Sequence, residues 1–250
     1  MGIIHSRTRT DQLQLETMND PVIFWDFHGT LAHRQNLWSS AILRLLFSEG
    51  EHGISQDTLI STMRDGFPWH HPERPHRELL DGKSWWDYVC GFVGERITNL
   101  GVSEKAVQAV TSGLRDEVVI RGGYTLYEDT VPALQSAENS GFKNAILSNH
   151  FPEIEQVADD LDISRYFVST FTSGTIGYEK PHSKIFRHAV EHLGNPNRMV
   201  MIGDNYRADI EGAERLGIPA ILVRTTNEWQ HPLHLDDLND LPRLLEQLFR

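Results

Sequence analysis

Asp26, His28, Gly29 and Thr30 sit together in one short segment; Ser148 and Asn149 form a second, Lys180 a third, and Asp204 with Asp209 a fourth. Each segment falls at the end of an expected strand or in the loop after it. A carboxylate, a hydroxyl, an ammonium and a further pair of carboxylates are what phosphoryl transfer through an enzyme aspartate requires. A carboxylate attacks an anionic phosphate poorly unless the repulsion is cancelled and the geometry is fixed. A divalent cation held by oxygen ligands does both, and Asp26 with Asp204 can furnish those ligands while waters fill the octahedron. Asp209, five residues further on, is placed to orient a metal-bound water or Lys180. Lys180 offers a compact cation to the phosphate oxygens and the aspartate, and the Ser148 hydroxyl with backbone N–H groups at the next helix start can cradle the phosphate. Thr30 ties down the first loop by hydrogen bonding.

Side chains this far apart in sequence need a scaffold that gathers strand ends. Residues 21–27 contain the apolar run VIFW, stopped by Asp26 and followed by His28 and Gly29, the pattern of a buried strand inside a parallel sheet. From Asp129 onward strand and helix patterns alternate: a helix stopped by Gly141, then NAILS, PEIEQVADDL, YFVSTF, HSKIFRHAVEHL, RMVMIG, ADIEGAERL and PAILV. Residues 35–121 instead show helical periodicity, as in WSSAILRLLF and SWWDYVCGFVGERI, with Ser55 and Ser103 as N-caps and no convincing strand. The sequence therefore predicts an α/β fold: a Rossmann-like parallel-sheet core from residues 21–34 and 122–250, with an all-helical cap domain inserted over 35–121. The tail ends in a short amphipathic helix, LPRLLEQLF, expected to pack on the core.

Composition narrows the partners. The chain is 39% hydrophobic and 23% charged, which is globular, and its net charge is −12 with basic residues scattered singly, so no basic stripe for nucleic acid is present. A phosphorylated small substrate stays compatible with that field, because a bound dication reverses the local sign. Cys90 is the single cysteine, which excludes an internal disulfide and suits a reducing compartment. Residues 1–20 are polar and carry no apolar run of signal-peptide or membrane-spanning length, so a cytoplasmic protein with no membrane association and a loose N-terminal arm is expected. Oligomeric state leaves no signature in the sequence.

Residues 67–77, FPWHHPERPHR, form a polar and aromatic loop between helical stretches. The imidazoles of His70, His71 and His76 invite a zinc reading, but Pro72 and Pro75 and the lack of i, i+4 spacing favour a loop that touches substrate or water. Pro68, Pro72 and Pro75 limit its conformations, so some of Trp69, His70, His71, Arg74 and His76 are expected to contact the non-transferred part of a substrate. Trp69, Trp85 and Trp86 read more readily as helical core than as a stacking platform.

The segments DFHGTL, ILSN, EKPHSKIF and IGDNYRADIEGA, in that order, resemble motifs one to four of the haloacid dehalogenase superfamily. The resemblance spans roughly residues 21–223 and includes a helical cap inserted after the first strand. It implies that Asp26 is the nucleophile, that its carboxylate, the His28 backbone carbonyl and Asp204 ligate Mg2+ with Asp209 beside them, and that Ser148 and Lys180 bind the phosphoryl group. The expected catalytic set is Asp26, His28 and Lys180. The expected substrate contacts are Thr30, Ser148, Asn149 and Lys180, joined by His70, His71 and Arg74 from the loop.

One position departs from the phosphatase pattern Asp-x-Asp-Gly-Thr, whose second Asp serves as general acid and then general base. His28 stands there, and imidazole can do both jobs near neutral pH. Dehalogenases and phosphonatases of the superfamily also lack the second Asp, so those reactions, a mutase, or a non-catalytic phosphate-binding protein are the alternatives. Retention of both Asp204 and Asp209 favours hydrolysis of a small phosphorylated metabolite, because metal-free dehalogenases generally replace the first of those acids.

Overall fold

The computed structural model describes residues 20–119 and 123–250. The expected N-terminal arm, apart from Asp20, and the expected boundary at residue 121 lie outside the described residues.

The chain opens with β1 (Val22–Trp25), passes a two-residue strand β2 (Ala32–His33), and enters four helices: α1 (Leu37–Ser48), α2 (Gln56–Thr62), α3 (Gly82–Asn99) and α4 (Glu104–Val119). It returns through β3 (Thr125–Leu126) and continues as α5 (Thr130–Asn139), β4 (Lys143–Ser148), α6 (Ile154–Asp160), β5 (Phe167–Thr172), α7 (Ser183–His192), β6 (Met199–Gly203), β7 (Ala220–Val223), β8 (His234–Leu235) and α8 (Leu241–Leu248). Six strands form one parallel sheet in the order β5-β4-β1-β6-β7-β8. The α/β core and the helical insertion after the first strand are as the sequence predicts.

Alternation explains why β1 is apolar at every position. Val22 and Phe24 face a layer with Ile185, Phe186 and Ala189 of α7, while Ile23 and Trp25 face the opposite layer with Leu134 and Ala137 of α5. The buried Trp25 indole donates from Nε1 to Asn144 Oδ1 at 2.9 Å, and Asn144 Nδ2 donates to the Leu134 carbonyl at 3.3 Å, so the polar atoms of this layer are paired.

Inside the insertion α4 packs against both α1 and α3. Ser55 Oγ accepts the Thr58 N–H at 3.1 Å to start α2, and Asp81 Oδ1 accepts the Ser84 N–H at 2.8 Å to start α3. Leu46, Leu59, Val89, Val93, Val110 and Leu114 fill its interior. The insertion sits on the core through Glu153, which receives Trp86 Nε1 at 3.0 Å and Arg115 Nε at 2.8 Å, and through the His76 N–H, which donates to the Gly177 carbonyl at 2.8 Å.

Two features differ from the sequence reading. The segment ADIEGAERL begins as a wide π-type turn, Tyr206–Glu211, because Asn205 Oδ1 caps the Ala208 N–H at 2.9 Å while the Asp209 carboxylate turns back to the Asn205 N–H at 3.0 Å. The polar stretch after residue 227 contributes a sixth strand, β8, whose residues pair in parallel with Leu222 and Val223. Among the described residues no helix is long and apolar enough to cross a membrane.

Candidate active site

The sheet order reverses direction at β1, with β4 and β5 on one side and β6 to β8 on the other, and such a switch point opens a crevice at the carboxyl ends of the strands. Register decides which residues meet there. Trp25 lies opposite Ile146 of β4 and Ile202 of β6, so Asp26, Ser148 and Asp204 emerge at nearly the same height. One carboxylate oxygen each from Asp26, Asp204 and Asp209 lies within 4.8 Å of the others.

Lys180 is buried under this cluster. Its three N–H donors go to Asp26 Oδ1 at 2.8 Å, Asp209 Oδ1 at 2.6 Å and the Leu147 carbonyl at 2.7 Å. Ser148 Oγ also donates to Asp26 Oδ1, at 2.8 Å. Burial alone would raise the Asp26 pKa, but the Lys180 charge and the hydrogen bonds from Lys180 and Ser148 outweigh it and hold the carboxyl below its ordinary value. Among the described residues Asp204 has no such cation in contact: burial and the charges of Asp26 and Asp209 push it up to about 8. Burial likewise pushes Asp209 up to about 6 despite its bond to Lys180. The pocket is thus over-supplied with negative charge, and its donors are all hard oxygens.

Two glycines make this crowding possible. A Cβ on Gly29, whose φ is +92°, would lie 2.4 Å from Asp204 Oδ2, and a Cβ on Gly203 would lie 2.1 Å from Asp209 Oδ2.

Above the carboxylates lies a cleft of about 530 Å³, walled by His28, Arg34, Trp38, Trp69, His150 and Phe151, with Arg207 among its further lining residues. The His28 Nε2–H donates to the Arg34 carbonyl at 3.2 Å, so in the neutral ring the Nδ1 lone pair is available to the cleft. His150 is buried beside it. The Phe151 N–H donates to His150 Nδ1 at 3.1 Å, which leaves the Nε2–H to donate to Tyr124 Oη at 3.1 Å. Burial and the His28 charge depress His150 to about 3, so it stays a neutral structural imidazole.

A haloacid dehalogenase-like hydrolase family model matches residues 21–217. The chain belongs to this family.

Relatives of the hydrolase extend the picture. It is 31% identical over 217 residues to a human haloacid dehalogenase-like hydrolase domain-containing protein 3, covering 77% of this chain and 84% of that one. It is 29% identical over 125 residues to a phosphoserine phosphatase of Thermus thermophilus and 32% identical over 102 residues to a glyceraldehyde 3-phosphate phosphatase of Methanothermobacter thermautotrophicus. Those matches cover 49% and 40% of this chain and 49% and 45% of the two phosphatases, so the chain spans about half the length of each. In fold it is similar to a HAD hydrolase, YfnB, of Bacillus subtilis, with a TM-score of 0.69 at 18% identity over 91% of this chain and 99% of that one. A 2-haloacid dehalogenase of Pseudomonas syringae shares the fold at a TM-score of 0.65 and 17% identity, over 92% and 99% of the two chains.

Within the hydrolase, the strand-end residues singled out by sequence converge, while the loop residues divide. Asp26, Ser148, Asn149, Lys180, Asp204 and Asp209 line one cleft together with His28. Thr30 lies behind it, donating to Asp204 Oδ1 at 3.3 Å while its carbonyl accepts Arg224 Nε at 2.8 Å. Asn149 is turned onto Lys180: its Oδ1 accepts the Lys180 N–H at 2.6 Å and its Nδ2 donates to the Lys180 carbonyl at 2.9 Å, which positions the lysine and leaves little of the amide for substrate. From the loop, Trp69, His70 and Pro72 line the cleft. His71 and Arg74 do not: His71 lies between Asp65 at 2.7 Å and Glu73 at 3.4 Å, and Arg74, 69% exposed, faces Glu73 at 3.6 Å. Surface carboxylates compete for these two side chains, and nothing in the loop's composition says which imidazole turns inward. His76 Nε2–H donates to the Pro68 carbonyl at 3.1 Å, an internal strut of the loop. The zinc arrangement of three imidazoles is absent among the described residues.

Sequence reasoning missed Arg34, Trp38, His150, Phe151 and Arg207. For His150 a signal existed, since it directly follows the strand-end pair Ser148 and Asn149. Arg34 and Trp38 flank the junction of β2 and α1, where only tertiary packing decides orientation.

Proposed function

We propose that this hydrolase is a magnesium-dependent phosphatase that cleaves a small phosphorylated metabolite through an aspartyl-phosphate on Asp26. One observation supports this above all: Asp26 Oδ1 is held by both Ser148 Oγ and Lys180 Nζ at 2.8 Å, at the foot of a cleft, with two further carboxylates beside it. That arrangement fixes the direction of the carboxylate and leaves Oδ2 for attack. The all-oxygen donor set and the surplus negative charge fit a hard dication, which Asp26, Asp204 and the His28 carbonyl would hold with Asp209 alongside. Mg2+ bound there supplies charge neutralisation to the phosphoryl oxygens and the attacking carboxylate.

The protein's own groups do the rest. Asp26 Oδ2 forms a bond to phosphorus as the bond to the ester oxygen breaks, and the protonated His28 gives its proton to that leaving oxygen. His28, now neutral, takes a proton from water as the water oxygen attacks phosphorus and the bond to Asp26 breaks, which releases phosphate and restores the carboxylate. Lys180 stays on Asp26 and Asp209 as a clamp, its donors already committed. The helical insertion that runs from α1 to α4 acts as a cap that closes the cleft and excludes water.

The test is a panel of phosphorylated metabolites with Mg2+, read as phosphate release, together with acid-quench trapping of a hydroxylamine-sensitive phosphoenzyme. Phosphate release with a trapped aspartyl-phosphate is the expected result. Chloride release from 2-haloacids without any phosphate release from the panel overturns the reading.

A further inference from the structure

Arg34 follows β2, is 8% exposed, and lines the same cleft as Asp26. A guanidinium carries five N–H donors. Nη1 reaches the Glu117 and Val118 carbonyls at the end of α4, both at a long 3.4 Å, and among the described residues Nε and Nη2 have no acceptor. Nor does any carboxylate lie within ion-pair distance of Arg34 among the described residues. The Glu117 carboxylate takes Arg44 Nε at 2.8 Å and acts on Arg34 as a nearby charge, while the hydrogen bond from Arg34 goes to the Glu117 main chain. Burial and the neighbouring Arg44 charge hold the Arg34 pKa below the ordinary arginine range, outweighing the opposing charges of Tyr124 and Glu117.

Buried arginines are ordinarily paired, because an unpaired buried charge is costly. Among the described residues Arg34 has no carboxylate in contact, and it stands in the wall of a substrate cleft. Its planar fork suits two oxygens of one anion. The phosphoryl corner already has Lys180, Ser148 and the three carboxylates, and Arg34 contacts none of them. Leu37, Trp38, Trp69 and Phe151 are among the residues lining the same cleft and suit a carbon skeleton. The cleft, at about 530 Å³, has room for a leaving group beyond the phosphate.

We propose that Arg34 receives a second anionic group, borne on the leaving-group side of the substrate, so that the enzyme selects phosphate monoesters of anionic alcohols over neutral ones. This rests on the phosphatase reading above.

The experiment compares matched esters on the full chain with Mg2+: phosphate monoesters of two- to four-carbon hydroxycarboxylic acids, the same esters as methyl amides, and the corresponding diol bisphosphates. The parent is expected to favour an anionic arm by about tenfold or more in kcat/KM, the scale of one charge-assisted pair, and the preferred arm tells carboxylate from phosphate. Arg34→Gln is expected to shrink that preference to within about threefold, folding being checked by circular dichroism. Should Arg34→Gln not fold, Arg34→Lys, which keeps the cation and stem but loses the fork, is expected to lower the same ratio. A parent ratio near one, or an undiminished ratio in a folded Arg34 variant, overturns the inference while the phosphatase reading stands. Failure of every ester to turn over brings down that reading, and this inference with it.

Discussion

The acidic corner at the strand ends and the loop of residues 67–77 border one cleft, yet their polar side chains are constrained to very different degrees. At the corner every donor of Lys180 is committed, Ser148 is committed, and Asn149 is locked onto the lysine main chain. In the loop, Trp69 and His70 face inward while His71 and Arg74 face surface carboxylates. A strand end fixes where its next side chain points, because register with two neighbours sets height and direction together. A loop leaves that choice to competing partners.

If the corner is the reacting centre, its substitutions should be the most damaging. Asp26→Asn is expected to lower kcat by on the order of 10⁴-fold or more without loss of fold, since it removes the nucleophile and thins out three crowded carboxylates. Steady-state phosphate release and a thermal melt check this, and activity within tenfold of the parent breaks the assignment. Asp204→Ala comes next: turnover should fall by on the order of 10²-fold or more, or demand far higher Mg2+, and EDTA should silence the parent. Because Asp204 is held up to about 8 by burial and like charges, the metal-free Asp204→Asn variant should melt at a higher temperature than the metal-free parent. A lower melting point argues against the charge surplus.

A third effect concerns stability and sits at the seam between the two regions. His150 falls from its ordinary 6.5 to about 3 in the folded state, so between those values the unfolded chain binds the extra proton. Its contribution is present above pH 6.5 and drains away as pH falls toward 3, at up to about 1.4 kcal/mol per unit. Denaturant midpoints measured from pH 7 down to 4 should decline less steeply in His150→Gln than in the parent. Smallest are the loop effects. His70→Ala is expected to change kcat/KM for the true substrate by about tenfold, whereas Arg74→Ala, 69% exposed, should stay within about twofold. Equal losses in the two variants erase the distinction between inward and outward loop residues.

The same contrast explains how much was legible in the sequence. VIFW before Asp26, NAILS at Ser148 and RMVMIG before Asp204 announce buried strands and place a polar residue just past each end, so the corner could be read by rule. Lys180 lies in the loop after an expected strand rather than directly at its end, so its residue type carried that reading. The side of the cleft that faces the insertion was closed to such reading: Trp38 and Phe151 both pack on Trp86 of α3, and Arg34 reaches carbonyls at the end of α4. Strands of two residues, as in β2, β3 and β8, fall below any window in which period two can be recognised.

Two of those strands, β2 and β3, carry a consequence for how such proteins diversify. In the β2–β3 ribbon Ala32 faces Leu126 and His33 faces Thr125, so the chain departs from the core and comes back to it side by side. The entropy of closing the excursion grows only slowly with its length once the ends are held together. Evolution, or a designer, can therefore swap the whole intervening stretch for another of different size without disturbing the register of β1, β4 and β6. What a replacement must inherit is a footprint rather than a sequence: an apolar surface to lie over Phe151 and Ile154, and a partner for the Glu153 carboxylate.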